Sequence, residues 1–491
     1  MRGGWRALPV LISILGMTAC GDTATQPALR TPGIHVAEGA VLDDTVLSVH
    51  ELTVVATDTS LAPASGRVLR LAVEMVPSNF FQGSEYPLGV AVGDSDLVRS
   101  SAIARTDDRG RVTLHVHLLY HAGPAALVLS APELGYVDTA WYTIRPGAAA
   151  GVTLAPADTA VYAARQVALR AHTVDQFHNA RPDSITFTVA SGPVTVDAAT
   201  GLLTTGAIGR AAVVAQSGAY RDTAYVSVVP QAWVAAQAFN PGNGGATGLF
   251  LMQLDGSGRT PFRPGLATGG APTAFGWSPD GQWLAFARGH YLTLLAPGGM
   301  ETPLVEMSGD LLSAVRYSRD GTWIYFAQGG MAAQPQGLWR VHTDGSGLEH
   351  IGQVGLDYGP APSHDGQSVA YVSYRTPCGI APCIRVLDLA TNTDRMFGSQ
   401  DYLVQGAAVS WSPTEDLIAY QSGSHLMLAR SDGTGSRVLG DLLAGVDWID
   451  WSPDGQWLVV AEVGVTLYNV QTGLRLPIAQ MLAYDATAWR P

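Results

Sequence analysis

Trp277-Ser278-Pro279-Asp280-Gly281-Gln282 decides the fold, because the same six residues return at Trp451-Ser452-Pro453-Asp454-Gly455-Gln456. Looser copies begin at Tyr317 (YSRDGT), Pro362 (PSHDGQ) and Trp411 (WSPTED), so successive copies start 40, 45, 49 and 40 residues apart. A period of that length marks a repeat architecture rather than one ordinary core. Each copy is followed by a short apolar run that reads as a strand. The phrase itself is turn chemistry. Pro279 presets φ for the second turn position, Asp280 tolerates the bridge region, and Gly281 supplies the positive φ that reverses the chain.

A second series gives the count. Six strand–turn–strand units run through the same half of the chain, and three of their turns read Asp-Gly-Ser/Thr-Gly, at Asp255, Asp344 and Asp432. Such turns between apolar runs are a strong hairpin signal. Six hairpins but five phrases leave one phrase missing, and Ala488-Trp489-Arg490-Pro491 supplies its beginning. The continuation is the apolar run that opens at Trp233. The last strand therefore has to join the first hairpin, which closes a ring and removes an exposed sheet edge. This predicts an all-β chain whose second half is a six-bladed β-propeller with a split closing blade.

The phrase and its spacing resemble the repeat of TolB-type propellers, over residues 231–491. Thr414-Glu415 departs from the Asp-Gly of that repeat, which implies a looser turn before the strand that follows.

The remainder of the chain bounds the function. Its 491 residues allow about two to four domains, and the net charge is −13 with no lysine among the 28 basic residues. That excludes a P-loop, a Schiff-base lysine and a lysine-rich nucleic-acid patch; high-GC codon usage accounts for the missing lysine. Residues 1–20 read as a leader: Arg2 and Arg6 precede an apolar stretch too short to span a bilayer. Its end, Met17-Thr18-Ala19-Cys20, resembles the lipobox of bacterial lipoproteins, with Met17 in place of the usual leucine. The resemblance implies cleavage before Cys20, lipid on that residue as a membrane anchor, and outer-membrane sorting, since Gly21 is not aspartate. Residues 21–33 are small, polar and proline-punctuated, as a tether would be.

Residues 34–147 and 148–230 read as two β units. Asp138-Thr139-Ala140-Trp141 is echoed by Asp222-Thr223-Ala224-Tyr225, 84 residues on, a spacing that suits sandwiches of about 100 residues. The second unit resembles bacterial Ig-like domains of the invasin and intimin type through Val196–Gly201, Gly209-Arg210-Ala211 and the closing run from Asp222. The first is similar through Asp107–Val112. The resemblance implies spacers or stalks without catalytic residues.

Three cysteines occur. With Cys20 acylated, Cys378 and Cys383 form an even pair in an exported protein and read as a disulfide. No nucleophile elbow, zinc-protease motif or Ca²⁺ loop appears. His115 and His117 share a strand face and could chelate a metal, yet they equally fit the solvent-facing positions of a strand whose Leu114, Val116 and Leu118 point inward. The repeated Asp280, Asp320, Asp365 and Asp454 read as turn residues that accept backbone hydrogen bonds. No cofactor is expected.

In a four-stranded meander the long irregular loops fall on the face opposite the Ser-Pro-Asp-Gly turns, and variable loops on a rigid scaffold carry recognition. Candidate binding residues there are Arg288, His290, Tyr291, Gln328, Tyr374, Arg375, Asp401 and Tyr402, with Asp447 and Asp485 as an acidic rim of the channel. The leading expectation is a non-enzymatic envelope lipoprotein, periplasmic or surface-exposed, whose propeller binds a protein or envelope glycan, and not nucleic acid. The alternative is a propeller lyase or hydrolase acting on a polysaccharide or small substrate at the channel mouth, with Asp447, Asp485, His290 and Arg316 as candidate groups. A third reading is adhesion through the Ig-like units.

Overall fold

The computed structural model describes residues 31–38, 43–75, 86–93, 97–240, 245–261, 274–296, 299–308, 311–329, 336–353, 355, 357–375, 378, 382–398, 408–446, 448–462, 464–478 and 484–491. Residues 1–30 with Cys20, and Asp401, Tyr402 and Asp447, lie outside these, and Asp485 is described in its backbone alone. Among the described residues every regular element is a β-strand, and most pairings are antiparallel.

After Ala232 the strands form six four-stranded antiparallel sheets. Sheet 2 runs Ala274–Trp277, Leu284–Arg288, Tyr291–Leu295, Glu301–Glu306; sheet 3 opens at Leu311–Tyr317, sheet 4 at Asp357–Pro362, sheet 5 at Val409–Trp411 and sheet 6 at Trp448–Trp451. Each is a simple meander in sequence order. Sheet 1 is assembled from distant pieces: Trp233–Asn240 pairs with Gly245–Gln253 on one side and with Tyr484–Arg490 on the other. The split sheet expected from Ala488–Pro491 and Trp233 is thus formed in the register Val234 to Trp489. The first strands of the six sheets touch in cyclic order, with Tyr484–Arg490 beside both Trp448–Trp451 and Ala274–Trp277.

The repeated phrase works as a hydrogen-bonded turn. In sheet 2 the Ser278 hydroxyl donates to Asp280 and accepts from the Trp283 N–H at 2.9 Å, while Asp280 also accepts from the Gln282 N–H at 3.0 Å. The same arrangement recurs around Ser318–Asp320, Ser363–Asp365 and Ser452–Asp454. Gly281, Gly321, Gly366 and Gly455 take φ of 66°, 73°, 71° and 70°. The turn aspartates are therefore structural, and Thr414 fills the place more weakly, with its hydroxyl 3.3 Å from that of Ser412.

By contacts the chain divides into two compact units: the described part of Met1–Ala149 with Asp175–Ala180, and Ala150–Val174 with Arg181–Pro491. In the first unit a four-stranded and a five-stranded sheet share one core. His115 and His117 lie on the outer face, while Leu114, Val116 and Leu118 are buried in that core. Among the described residues no three His, Cys, Asp or Glu side chains gather as a metal-holding group. The loop Asp175–Ala180 joins this unit through Asn179, whose Nδ2 donates to the Tyr120 carbonyl at 2.7 Å and whose Oδ1 accepts from the Ala122 N–H at 2.9 Å.

In the second unit residues 150–230 form three small sheets around Phe187, Leu203, Val213 and Val226. One pairing there is parallel, Asp158–Tyr162 with Tyr220–Val229. This module is not separate from the six sheets. Ala160, Tyr162 and Val229 share a core with Val234, Trp457, Leu467 and Ile478.

The first strands approach closely enough to restrict side-chain size. A Cβ on Gly276 would lie 2.3 Å from the Val315 carbonyl oxygen of the neighbouring first strand. Gly276→Ala is expected to destabilise the protein by about 1–3 kcal/mol, read as a lower denaturant midpoint with an unchanged slope.

Candidate functional site

A cavity of about 130 Å³ opens where the first strands of the six sheets turn into their second strands. Its wall is the repeated phrase seen from inside. The tryptophan position contributes Trp277, Tyr317, Pro362, Trp411, Trp451 and Trp489, and the proline position contributes Pro279, Arg319, His364, Pro413, Pro453 and Pro491. One residue before the tryptophan position, Gly276, Ala361 and Ser410 are small, whereas Arg316 and Asp450 are charged. The Trp451 indole is held by its N–H donating to the Ser410 carbonyl at 3.1 Å.

Arg316 closes the bottom. Its guanidinium leaves sheet 3, donates to the carbonyls of Phe275 (3.4 Å) and Val315 (3.3 Å), and crosses to the Ile449 carbonyl of sheet 6 at 3.0 Å, with its carbon centre 4.5 Å from the Trp448 ring. Asp450 accepts from the Trp489 N–H at 2.8 Å. Burial pushes the Asp450 carboxyl up and the Arg316 guanidinium down from their ordinary values, and each charge partly restores the other. Arg316 has thus given N–H groups on both terminal nitrogens to carbonyl oxygens, so it acts as a fixed positive floor. A cavity of this size admits one side chain or a small molecule rather than a polymer.

The candidates expected on the opposite face fare unevenly. Arg288, His290 and Tyr291 sit together at one hairpin of sheet 2. Arg288 donates to Glu301 at 3.4 Å, and the Tyr291 hydroxyl donates to Glu306 at 3.1 Å, with the His290 Nε2 3.9 Å from the same carboxylate. Gln328 is a correction: it is buried at the end of its strand, 2% exposed, rather than presented on a loop. Tyr374, which precedes Arg375 in the sequence, is half-buried.

Arg375 is also a correction, because it turns inward. Its guanidinium meets Asp357 at 3.1 and 2.9 Å, Asp394 at 3.0 Å, the Tyr371 hydroxyl at 2.6 Å and the Gln353 side chain at 2.7 Å. Arg385 makes a two-pronged pair with the same Asp394 at 2.8 and 2.9 Å. The Arg375 carbonyl accepts from the Cys378 N–H at 2.9 Å, and Cys378 and Cys383 are disulfide-bonded. Two carboxylates are thus buried among two guanidiniums.

Among the residues missed in the sequence are Arg319, His364 and Asp450. The signal was present as departures from the repeat: Arg and His where other copies have proline, and charge where others have Gly, Ala or Ser.

Burial pushes the Asp394 carboxyl up, but hydrogen bonds from Arg385 and Tyr371 and both guanidinium charges outweigh it and hold it well below the usual carboxylate range. Its folded-state pKa is thus depressed, so its stabilisation is complete above the unfolded value near ~3.9 and is lost as pH falls toward the folded one. Asp394→Asn is expected to cost about 3 kcal/mol or more near neutral pH. In urea titrations the gap from the parent should stay constant above about pH 5 and narrow below about pH 4.

No family model and no curated protein matches the chain. Among solved structures it is similar to TolB of Acinetobacter baumannii, at 15% identity and a TM-score of 0.45, over 63% of this chain and 83% of that one. The tricorn protease aligns at 10% identity and 0.38, over 78% and 41% of the two chains. An auxiliary nutrient binding protein of Bacteroides thetaiotaomicron aligns at 9% and 0.35, over 67% and 85%. These likenesses are partial and reach no further than an all-β architecture.

Proposed function

We propose that this chain is a non-enzymatic cell-envelope lipoprotein. An acyl anchor on Cys20 and a short tether carry two Ig-like β-sandwiches, 34–147 and 148–230, and a TolB-type six-bladed β-propeller, 231–491, binds a protein or cell-wall glycan partner. The observation that carries this reading is the cyclic contact of six first strands, with Trp233–Asn240 paired to Tyr484–Arg490, around a cavity of about 130 Å³. Such a scaffold presents a preformed concave site on rigid strands.

Binding is favoured over turnover by the state of the channel groups. A general acid or base must reach a substrate proton, whereas the Arg316 guanidinium is held by three carbonyls and Asp450 by the Trp489 N–H. The core that Ala160, Tyr162 and Val229 share with the propeller supports a spacer that holds it at a set angle.

Two measurements test the reading. Cys20→Ser should move the full chain from the membrane fraction to the soluble fraction while leaving its melting midpoint unchanged; a variant that stays with the membrane sinks the anchor. Crosslinking of the full chain in envelope extract should capture one protein or glycan reproducibly. Release of product from envelope polysaccharides by the purified chain would instead make it an enzyme.

A further inference from the structure

The five copies of the repeated phrase and the partial copy at Ala488–Pro491 place one residue each at the cavity mouth: Pro279, Arg319, His364, Pro413, Pro453 and Pro491. Four are proline. Proline suits the place structurally, since it presets the turn and its missing N–H leaves no donor to satisfy. Arg319 and His364 therefore serve no need of the repeat, and they stand on adjacent sheets, 3 and 4. Arg316 lies below them on the strand that leads into Arg319, and Asp450 stands on sheet 6, across the ring from sheet 3.

The charge balance follows from these exceptions. Among the charged side chains that line the cavity, Arg316 and Arg319 outnumber Asp450 even when His364 is neutral, in a chain whose own net charge is −13. The nearby turn aspartates are not among them. Asp320 and Asp365 bend back to the Ser318 and Ser363 hydroxyls and to the Thr322 and Gln367 N–H groups. The Nδ1 atom of His364 is buried without a hydrogen-bond partner, and the Arg319 side chain is exposed at the rim. Opposite them the rim is built from the Pro413, Pro453 and Pro491 rings, with the Asp450 carboxylate deeper in the cavity.

We propose that this cavity is a carboxylate-binding site. The anionic head of a small organic acid, or the C-terminal carboxylate of a peptide, sits between Arg319 and His364 above the Arg316 floor. Its apolar body lies against Pro413, Pro453 and Pro491. Arg319 supplies a charge-assisted contact, and the proline rings supply apolar area for burial. This inference rests on the binding reading of the propeller and names the ligand chemistry of that same site.

Calorimetric titration of the full chain tests it with two pairs of probes. The first pair is 3-phenylpropionate and its amide; the second is an acetylated tripeptide ending in phenylalanine, with a free or an amidated C-terminus. At least one free acid should bind saturably, and its amide should bind about tenfold more weakly or worse. Which pair responds identifies the source of the carboxylate. The double variant R319P/H364P restores the residue that the repeat itself uses and should lose the preference for acid over amide at an unchanged melting midpoint. If that variant is destabilised, R319Q and H364Q should each weaken the acid alone.

Equal binding of acid and amide, no binding of either acid, or acid binding untouched by R319Q would overturn the site. Partner capture that survives R319Q alongside such a result would leave the partner-binding reading standing. Conversion of a probe to product would overturn that reading instead.

Discussion

Crowding at the axis governs the second half of this protein. Six first strands converge so closely that a Cβ on Gly276 would meet the Val315 carbonyl, and Ala361, Ser410 and Ala488 hold the equivalent places with the smallest side chains available. A long side chain in that tier has nowhere to go but across. Arg316 does so, reaching from sheet 3 to the Ile449 carbonyl of sheet 6 and lying over Trp448. The cavity above it exists because one tier is packed tight and the next, lined by prolines and indoles, widens.

The same logic separates two kinds of charge in the molecule. In sheet 4, Asp357 and Asp394 are 1% and 3% exposed and face Arg375 and Arg385 directly, at distances of 2.8–3.0 Å for the closest pairs. Removing one member of such a cluster leaves a buried charge without its partner, which costs several kcal/mol even where the intact cluster adds little. At the cavity the charges instead hold unequal places, Arg316 tied to carbonyls and Arg319 free at the rim. One arrangement ties its guanidiniums to buried carboxylates; the other leaves a guanidinium exposed at the rim.

Much of this architecture was legible in the sequence, and the reason is periodicity. The Trp277 and Trp451 phrases, the Asp255, Asp344 and Asp432 hairpins, and the match of Ala488–Pro491 to Gly276–Pro279 encode local turns whose geometry follows from residue type. Side-chain direction was not legible. Arg375 sits in a loop by topology, and only the fold brings Asp357 and Asp394, 18 and 19 residues away, close enough to turn it inward. Gln328 likewise lies buried at a strand end rather than on a loop. The loop Asp175–Ala180 belongs to the first unit because the Asn179 side chain finds the backbone of Tyr120 and Ala122, a contact without any local signature. The cavity was overlooked because repeats invite attention to what recurs, while Arg319, His364 and Asp450 are informative as exceptions.

The pairing of Trp233–Asn240 with Tyr484–Arg490 also sets the order in which the molecule can assemble. Five of the sheets are local meanders whose hairpins close within a few tens of residues, so they form early at small entropic expense. Sheet 1 must wait for a strand some 250 residues downstream. Until that strand arrives, the Trp233 strand and sheet 6 have no neighbour at the seam, and the emerging chain stays open. Completion of sheet 1 is thus a late event, because the partner strand of Trp233–Asn240 is synthesised some 250 residues after it.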